Sequence, residues 1–251
     1  MKQWITGAAM VAVALACSQQ AKASLFINIT DGTGTATCDN SSAAGVTACT
    51  TAGFVTSLNS NNIGFSNFTV GGYTFLGNSG VNANVPGNGL IGLVSDSKLN
   101  IQHNSGLADL QVTFAAQGFT APVGSNLTFS ASDTGNWTLA TAGGDHGDFT
   151  GWLNASNSTA TTGTAAVTPT CFGPLGASTS FSCSQASPDV PASAAGTYSL
   201  VGRELIHLNV NDIASFQATE IVSAVPEPMT FSLMGAGLLG LGLLRKRMSR
   251  S

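Results

Sequence analysis

Residues 68–75, FTVGGYTF, decide the expected fold class of this 251-residue chain. Two short segments of aromatic and β-branched residues flank a pair of glycines, and such residues favour strands. A two-residue glycine loop suits the primed turns that join antiparallel strands, because those turns need positive φ. We therefore predict a β-hairpin here.

Short alternating segments of the same kind occur along the chain. Leu110, Val112 and Phe114 alternate with polar residues, as do Leu127 and Phe129, which is typical of strands with one buried face. Further strands are expected at 25–30, 90–94, 137–140, 204–210 and 215–222. No amphipathic helix of ten or more residues is evident, and the Ser- and Thr-rich stretch 155–199 is expected to be a long surface excursion. About ten strands predict an all-β, antiparallel β-sandwich or jelly-roll-like domain.

The distribution of charge argues against nucleic acid as a partner. Only 8% of the residues are charged, and most of the Lys and Arg side chains lie in the first 23 or last seven residues. Residues 24–224 contain two bases, Lys98 and Arg203, and eleven acids, a formal charge of −9. Binding to phosphate needs clustered basic side chains, which this segment lacks.

The first 23 residues have the pattern of a secretory signal peptide. Lys2 precedes an apolar run at 4–16, and the polar stretch after it ends in small residues. This pattern predicts a signal helix at 1–23 and cleavage between Ala23 and Ser24. A lipoprotein signal ending at Cys17 is the alternative, which analysis of the mature N-terminus would decide.

Four cysteines remain after removal of the leader: Cys38, Cys49, Cys171 and Cys183. An even number in an exported protein is typical of disulfides. The separations of 11 and 12 residues favour two local bridges, Cys38 with Cys49 and Cys171 with Cys183. A zinc site is the alternative, but the chain has no Cys-x-x-Cys and no regularly spaced histidines.

The C-terminus has three parts in order. Pro226, Glu227 and Pro228 precede an apolar run at 229–244, and a basic tail at 245–250 follows, with Arg245, Lys246 and Arg247 at its start. Sixteen helical residues rise about 24 Å, slightly less than the hydrocarbon core of a bilayer. The run therefore predicts a short transmembrane helix, with the basic tail retained in the cytoplasm.

This tripartite tail resembles the PEP-CTERM sorting signal of Gram-negative bacteria, with Pro226, Glu227 and Pro228 on the family's motif. The resemblance covers residues 225–251. It implies that an exosortase recognises the tail at the inner membrane and cuts near the motif, and that the protein reaches the cell surface in connection with exopolysaccharide. The expected organisation is a signal peptide at 1–23, an exported β-rich domain at 24–224 and a sorting signal at 225–251. A permanent single-span anchor is the alternative.

Residues 143–148, GGDHGD, form the most site-like local cluster. Asp145 and Asp148 could offer oxygen ligands to Ca²⁺, but a polar loop explains the same residues, so no metal or cofactor is predicted. The loop at 31–35, DGTGT, is interpreted in the same way. His103 and His207 are isolated and expected at the surface.

The sequence does not predict an enzyme. It contains no nucleophile elbow, zinc-protease motif, phosphate loop or dinucleotide fingerprint. A glycosidase pair among the eleven acids cannot be located from sequence. We expect an exported cell-surface or matrix protein, and the alternative is a specific carbohydrate- or ice-binding module. Thr33, Thr35 and Thr37 alternate as an ice-binding face would, but three threonines are too few.

Overall fold

A computed structural model describes residues 24–225 as two antiparallel β-sheets, so the predicted antiparallel β class is confirmed. The described residues form sixteen strands instead of about ten. The seven-stranded sheet contains β1 (Ser24–Thr30), β2 (Thr35–Asp39), β8 (Leu110–Phe119), β10 (His146–Asn154), β11 (Thr164–Val167), β12 (Cys171–Phe172) and β15 (Tyr198–His207). The nine-stranded sheet contains β3 (Phe54–Thr56), β4 (Asn62–Val70), β5 (Tyr73–Ala83), β6 (Ile91–Ser97), β7 (Leu99–His103), β9 (Gly124–Leu139), β13 (Phe181–Ala186), β14 (Val190–Ala194) and β16 (Ile213–Ala224).

The strand orders place distant parts of the chain side by side. In the seven-stranded sheet the order is β11-β10-β15-β8-β1-β2, and β12 also pairs with β10. In the nine-stranded sheet it is β13-β9-β16-β6-β5-β4-β3, with β14 on β9 and β7 against β16 and β5. The last two strands of the domain therefore lie in different sheets, β15 near the centre of the seven-stranded sheet and β16 near the centre of the nine-stranded sheet.

The predicted hairpin at 68–75 joins β4 to β5. Val70 pairs with Tyr73, and Gly71 has a φ of 52°, as a primed turn requires. The predicted strand around Leu127 and Phe129 and most of the predicted strand at 137–140 belong to the single 16-residue strand β9, which ends at Leu139.

The expectation that 155–199 is a surface excursion is wrong. This stretch contains β11 and β12, which pair with β10, and β13 and β14, which pair with β9. Short Ser- and Thr-rich segments suit sheet edges, because an edge strand has little apolar surface to bury.

The two predicted disulfides are confirmed. Cys38 of β2 bonds to Cys49 with a Cα–Cα distance of 4.6 Å, and Cys171 of β12 bonds to Cys183 of β13 at 5.8 Å. The first bridge holds the short helix α1 (Ala43–Thr51), whose first turn is capped by the Ser42 hydroxyl. The second joins the edges of the two sheets. Both bridges indicate an oxidising compartment.

The core lies between the two sheets, and it contains most of the aromatic side chains. Trp137, Tyr198 and Phe216 are fully buried, and Phe65 packs edge-on against Phe75 with ring centroids 5.1 Å apart. Burying one such side chain contributes about 1.5–3 kcal/mol to folding. The sheets therefore form one sandwich-like unit around a layer of mostly apolar side chains.

Several predicted features lie outside residues 24–225, namely the signal helix with Ala23, the motif Pro226-Glu227-Pro228, the transmembrane helix at 229–244 and the basic tail at 245–250. Within residues 24–225, no helix has the length and apolar character needed to cross a bilayer.

Candidate functional site

The outer face of the seven-stranded sheet carries a band of polar and aromatic side chains. Directly opposed residues of an antiparallel pair share one face, and Gly147, Phe149 and Leu153 of β10 point inward and are buried. The outward residues of β1, β8, β10 and β15 are therefore Ser24, Phe26, Asn28, Thr30, Gln111, Thr113, Ala115, Gln117, His146, Asp148, Thr150, Trp152, Asn154, Ser199, Val201, Arg203, Leu205 and His207. We call this set the Trp152 face.

Trp152 and Arg203 form the centre of the Trp152 face. Thr150 is opposite Arg203, so Trp152 lies diagonally across from it, and the guanidinium carbon is 5.2 Å from the centroid of the indole ring. Both side chains are half-buried. Among residues 24–225, no carboxylate lies within salt-bridge distance of Arg203. The cation–π contact orients two planar groups, and the guanidinium remains available to a ligand.

Two histidines lie at one end of the Trp152 face. His207 Nδ1 is 2.7 Å from Asp109 Oδ1, and the ring of His146 stacks on His207 with centroids 5.1 Å apart. His207 is 37% exposed, so its predicted place on the polar side of the strand is confirmed.

The predicted surface position of His103 is wrong. It is buried and stacks on Tyr73 at 4.3 Å, and its two ring nitrogens contact the carbonyl oxygens of Leu208 and Ser105 at 2.6 and 2.9 Å. Because β7 alternates Leu99, Ile101 and His103 on its inner side, the histidine follows the apolar row into the core.

Asp145 and Asp148, the weak calcium candidates, have different environments. Asp148 belongs to the Trp152 face and accepts a hydrogen bond from Thr170 Oγ1 at 2.6 Å. Asp145 is buried, and its Oδ1 accepts bonds from the backbone and side-chain nitrogens of Asn209, each at 2.8 Å. Burial raises the pKa of Asp145 to about 6. No group of three acidic, histidine or cysteine side chains within residues 24–225 has a metal-binding arrangement.

The loop at 31–35 is a structural junction. Asp31 Oδ1 accepts hydrogen bonds from the backbone nitrogens of Thr33 and Gly34 and from the Thr33 hydroxyl, at 2.8–2.9 Å. Its Oδ2 accepts a bond from Gly72 N, in the β4–β5 turn of the other sheet, at 2.8 Å. Burial alone would raise the pKa of Asp31, but these hydrogen bonds hold it well below its usual range. The carboxylate thus joins the two sheets at this end.

The alternating threonines bond to their neighbours in the structure. The Thr33 hydroxyl is committed to Asp31, Thr35 Oγ1 donates to Thr30 Oγ1 at 3.0 Å, and Thr37 Oγ1 accepts from Asn28 Nδ2 at 2.7 Å. They do not form a separate rank of free hydroxyls.

The outer face of the nine-stranded sheet has a different composition. Its long central strands, β9 and β16, turn outward only small, aliphatic or amide side chains, including Thr134, Asn136, Gln217 and Thr219. We call this surface the hydroxyl face. It has no aromatic or charged side chain on these two strands and serves as an internal control for the Trp152 face.

Sequence reasoning did not find the Trp152 face. The individual strands were visible as alternating patterns, but Trp152 and Arg203 are 51 residues apart in sequence and adjacent only through the β10–β15 register. Residues 146–148, which begin β10, belong to the stretch 143–148 that the sequence alone favours as a polar loop.

Comparisons with known proteins assign no family. No family model and no curated protein matches the chain. The Stig cyclase Fisc from Fischerella sp. TAU, solved in complex with (3Z)-3-(1-methyl-2-pyrrolidinylidene)-3H-indole, is 9% identical over 69% of this chain and 90% of that chain, with a TM-score of 0.28. An apo cyclase from Fischerella sp. is 12% identical over 60% and 75%, with a TM-score of 0.25. A structure of infectious bursal disease virus Gx strain is 10% identical over 84% and 61%, at 0.19. Likenesses at these TM-scores indicate neither an ancestry nor an activity.

Proposed function

We propose that this protein is exported to the cell surface or extracellular matrix and binds polysaccharide through the Trp152 face. The observation that carries the proposal is the half-buried Trp152 beside Arg203 on the outer sheet face, where its apolar row of Val201, Ala115 and Phe26 is flanked by rows of hydroxyl and amide side chains.

The chemistry of the Trp152 face suits sugar rings. An indole offers a large apolar surface and a polar edge, which match the C–H and hydroxyl sides of a pyranose. The planar guanidinium of Arg203 and the amides of Asn28 and Gln111 can exchange hydrogen bonds with neighbouring hydroxyls. Three strand spacings separate β10 from β1, roughly 14 Å, so the face has room for more than one sugar ring.

The route to the surface is proposed from the two ends of the chain. The leader ending at Ala23 would direct export, and the tail containing Pro226, Glu227 and Pro228 would be recognised by an exosortase during an inner-membrane stage. The two disulfides support an oxidising destination. Exopolysaccharide at that destination is the partner that the Trp152 face would meet.

The test compares the wild-type protein with Trp152→Ala and the matched control Gln217→Ala on the hydroxyl face. We expect Trp152→Ala to weaken binding to neutral polysaccharides at least tenfold, about 1.4 kcal/mol, because it removes the apolar platform. Glycan arrays would identify a polysaccharide, and affinity electrophoresis would give dissociation constants.

Gln217→Ala should bind like the wild type, and all three proteins should have similar melting temperatures. Equal binding by the wild type and Trp152→Ala, or no binding to any glycan, would contradict the proposal that the Trp152 face binds polysaccharide.

A further inference from the structure

Four carboxyl side chains are buried in the interior between the two sheets, and they influence one another's ionisation. Asp96 of β6, Asp133 of β9 and Glu220 of β16 come from the nine-stranded sheet, and Glu204 of β15 comes from the opposite sheet. All four residues have no exposed surface. Ala218 pairs with Asp133, and its backbone nitrogen donates to Asp96 Oδ1 at 2.7 Å, so a residue with only a methyl group separates the two aspartates. We call these four residues the carboxyl cluster.

Glycines of the opposite sheet make room for the carboxyl cluster. Gly151 and Gly202 are directly opposed in the β10–β15 pair and face Glu220. A Cβ on Gly202 would lie 2.5 Å from Glu220 Oε1, and one on Gly151 would lie 2.9 Å from Glu220 Cγ. Side chains at these positions would fill the space that the glutamate occupies, so the packing is built around an acidic group.

No basic side chain of residues 24–225 enters the cluster. Lys98 is exposed, and Arg203 points outward over Trp152. His103 is committed to two carbonyl oxygens, and His146 and His207 belong to the outer face. Apart from Asp96 Oδ1, the carboxyl oxygens of the cluster have no well-aligned hydrogen-bond donor. Four ionised groups in this environment would be strongly destabilising.

The negative charge of the four carboxyl groups can therefore be neutralised by bound protons. Glu204 and Asp96 lie close enough to affect each other's ionisation, and a hydrogen bond between two carboxyl groups needs a proton on one of them. Burial raises the pKa of Asp96 to about 8 and of Asp133 to about 7. Burial also raises the pKa of Glu204 and Glu220 well above the usual range. Within residues 24–225 these side chains do not form a metal-binding arrangement.

We propose that the carboxyl cluster is a pH-sensitive switch in the core, which holds the sheets together while protonated and loosens them when it ionises. This role is independent of the Trp152 face.

The other titratable groups on the strands around the cluster do not provide a counter-charge. Asp148 on β10 adds negative charge near Asp133. Tyr198 is the inward phenol of β15, and it donates to the Ala121 carbonyl at 3.2 Å. Tyr73 on β5 donates to the Ala108 carbonyl and stacks on His103 of β7. The inner side of β8 contributes no ionisable residue.

The direction of the pH dependence follows from the raised pKa values. Well below the ordinary carboxyl pKa of about 4, the carboxyls are protonated in both the folded and the unfolded chain, so their ionisation does not change the free energy of unfolding. As the pH rises, the unfolded chain loses protons that the folded chain keeps, and stability falls until the folded carboxyls also ionise. Each proton released on unfolding raises the unfolding equilibrium constant tenfold per pH unit.

The experiment follows urea unfolding of the purified protein from about pH 5 to about pH 8, where we expect the unfolding constant to rise at least a hundredfold. Unfolding near pH 6 should also release protons, measured with an indicator dye in weak buffer. The double variant Asp133→Asn, Glu204→Gln keeps the shape of both groups and should have a flatter pH profile. Asp189→Asn, at an exposed position, should keep the wild-type slope.

A wild-type stability that is flat or rises over this range would overturn the proposal. So would Ca²⁺ at millimolar concentration if it stabilised the wild type at alkaline pH and not the double variant, because a cation would then occupy the cluster. If the double variant does not fold, the proton release of the wild type on unfolding tests the proposal by itself. A wild type that releases no protons near pH 6 would contradict the pH-sensitive switch.

Discussion

Two kinds of buried carboxyl group coexist at the scale of single residues. Asp31 accepts hydrogen bonds from N–H and O–H donors, and these bonds keep it ionised although it is buried. The carboxyl cluster lies deeper and has almost no donors, so burial favours its protonated form. The supply of donors, and not burial alone, determines the charge of an acid in this core.

We predict that Asp31→Ala lowers the free energy of unfolding by about 2–4 kcal/mol near neutral pH, because several buried donors lose a charged acceptor. Since the folded pKa of Asp31 is lowered, this contribution is present above about pH 4 and is lost as the pH falls further. Urea unfolding provides the measurement. Asp189→Ala should change stability by less than about 0.5 kcal/mol, and an equally small effect at Asp31 would contradict the prediction.

Single residues also show what local patterns could and could not predict. Spacing was enough for both disulfides, since 11 and 12 residues close short loops. The alternation of Leu99, Ile101 and His103 contained the signal that His103 is buried, but the residue type favoured a surface position. No local signal shows that Asp31 reaches Gly72, because that contact joins loops of different sheets.

At the scale of elements, β10 and β15 depend on glycines at inward positions. A glycine inside a strand loses side-chain packing and is often found where another group approaches closely. Gly147, Gly151 and Gly202 fit this description, because Phe216 or Glu220 of β16 would touch a Cβ at each position. In the sequence these glycines reduce the strand signal, which is one reason why β10 was not predicted.

Gly151→Ala should destabilise the protein by about 1–3 kcal/mol, because the added methyl group would meet Glu220 Cγ across the core. The loss should be smaller in the Glu220→Ala background, which opens the space. A double-mutant cycle from urea unfolding measures this coupling. Gly89→Ala is the matched control, since a Cβ at Gly89 has no neighbour within 4 Å. Equal losses in both backgrounds would contradict the packing explanation.

At the scale of the whole molecule, the alternating patterns were sufficient to predict an antiparallel β class but not the topology. Strand pairing such as β1 with β8 or β9 with β16 is non-local, so no short window of sequence contains it. The Trp152 face shares this limitation, because its residues come from four strands spread over most of the domain. The organisation into leader, domain and tail stays a prediction, since the two ends lie outside the described residues.

For the complete chain we predict that Glu227→Ala, or removal of the basic residues at 245–250, changes the size and compartment of a tagged protein. If the motif is not recognised, the uncleaved protein should remain in the inner membrane. If the basic residues are removed, the apolar segment should no longer be held across the bilayer. Fractionation with immunoblotting measures both. If both variants match the wild type in size and location, the sorting proposal fails.

The carboxyl cluster has a further consequence for how the folded particle meets its surroundings. The formal charge of −9 for residues 24–224 counts four buried acids whose pKa values are raised, so at mildly acidic pH the folded domain is less negative than its sequence indicates. The electric field around the particle is correspondingly weaker, and ions in the medium screen what remains beyond about 10 Å. Copies of the folded domain therefore repel one another less at mildly acidic pH than the formal charge implies.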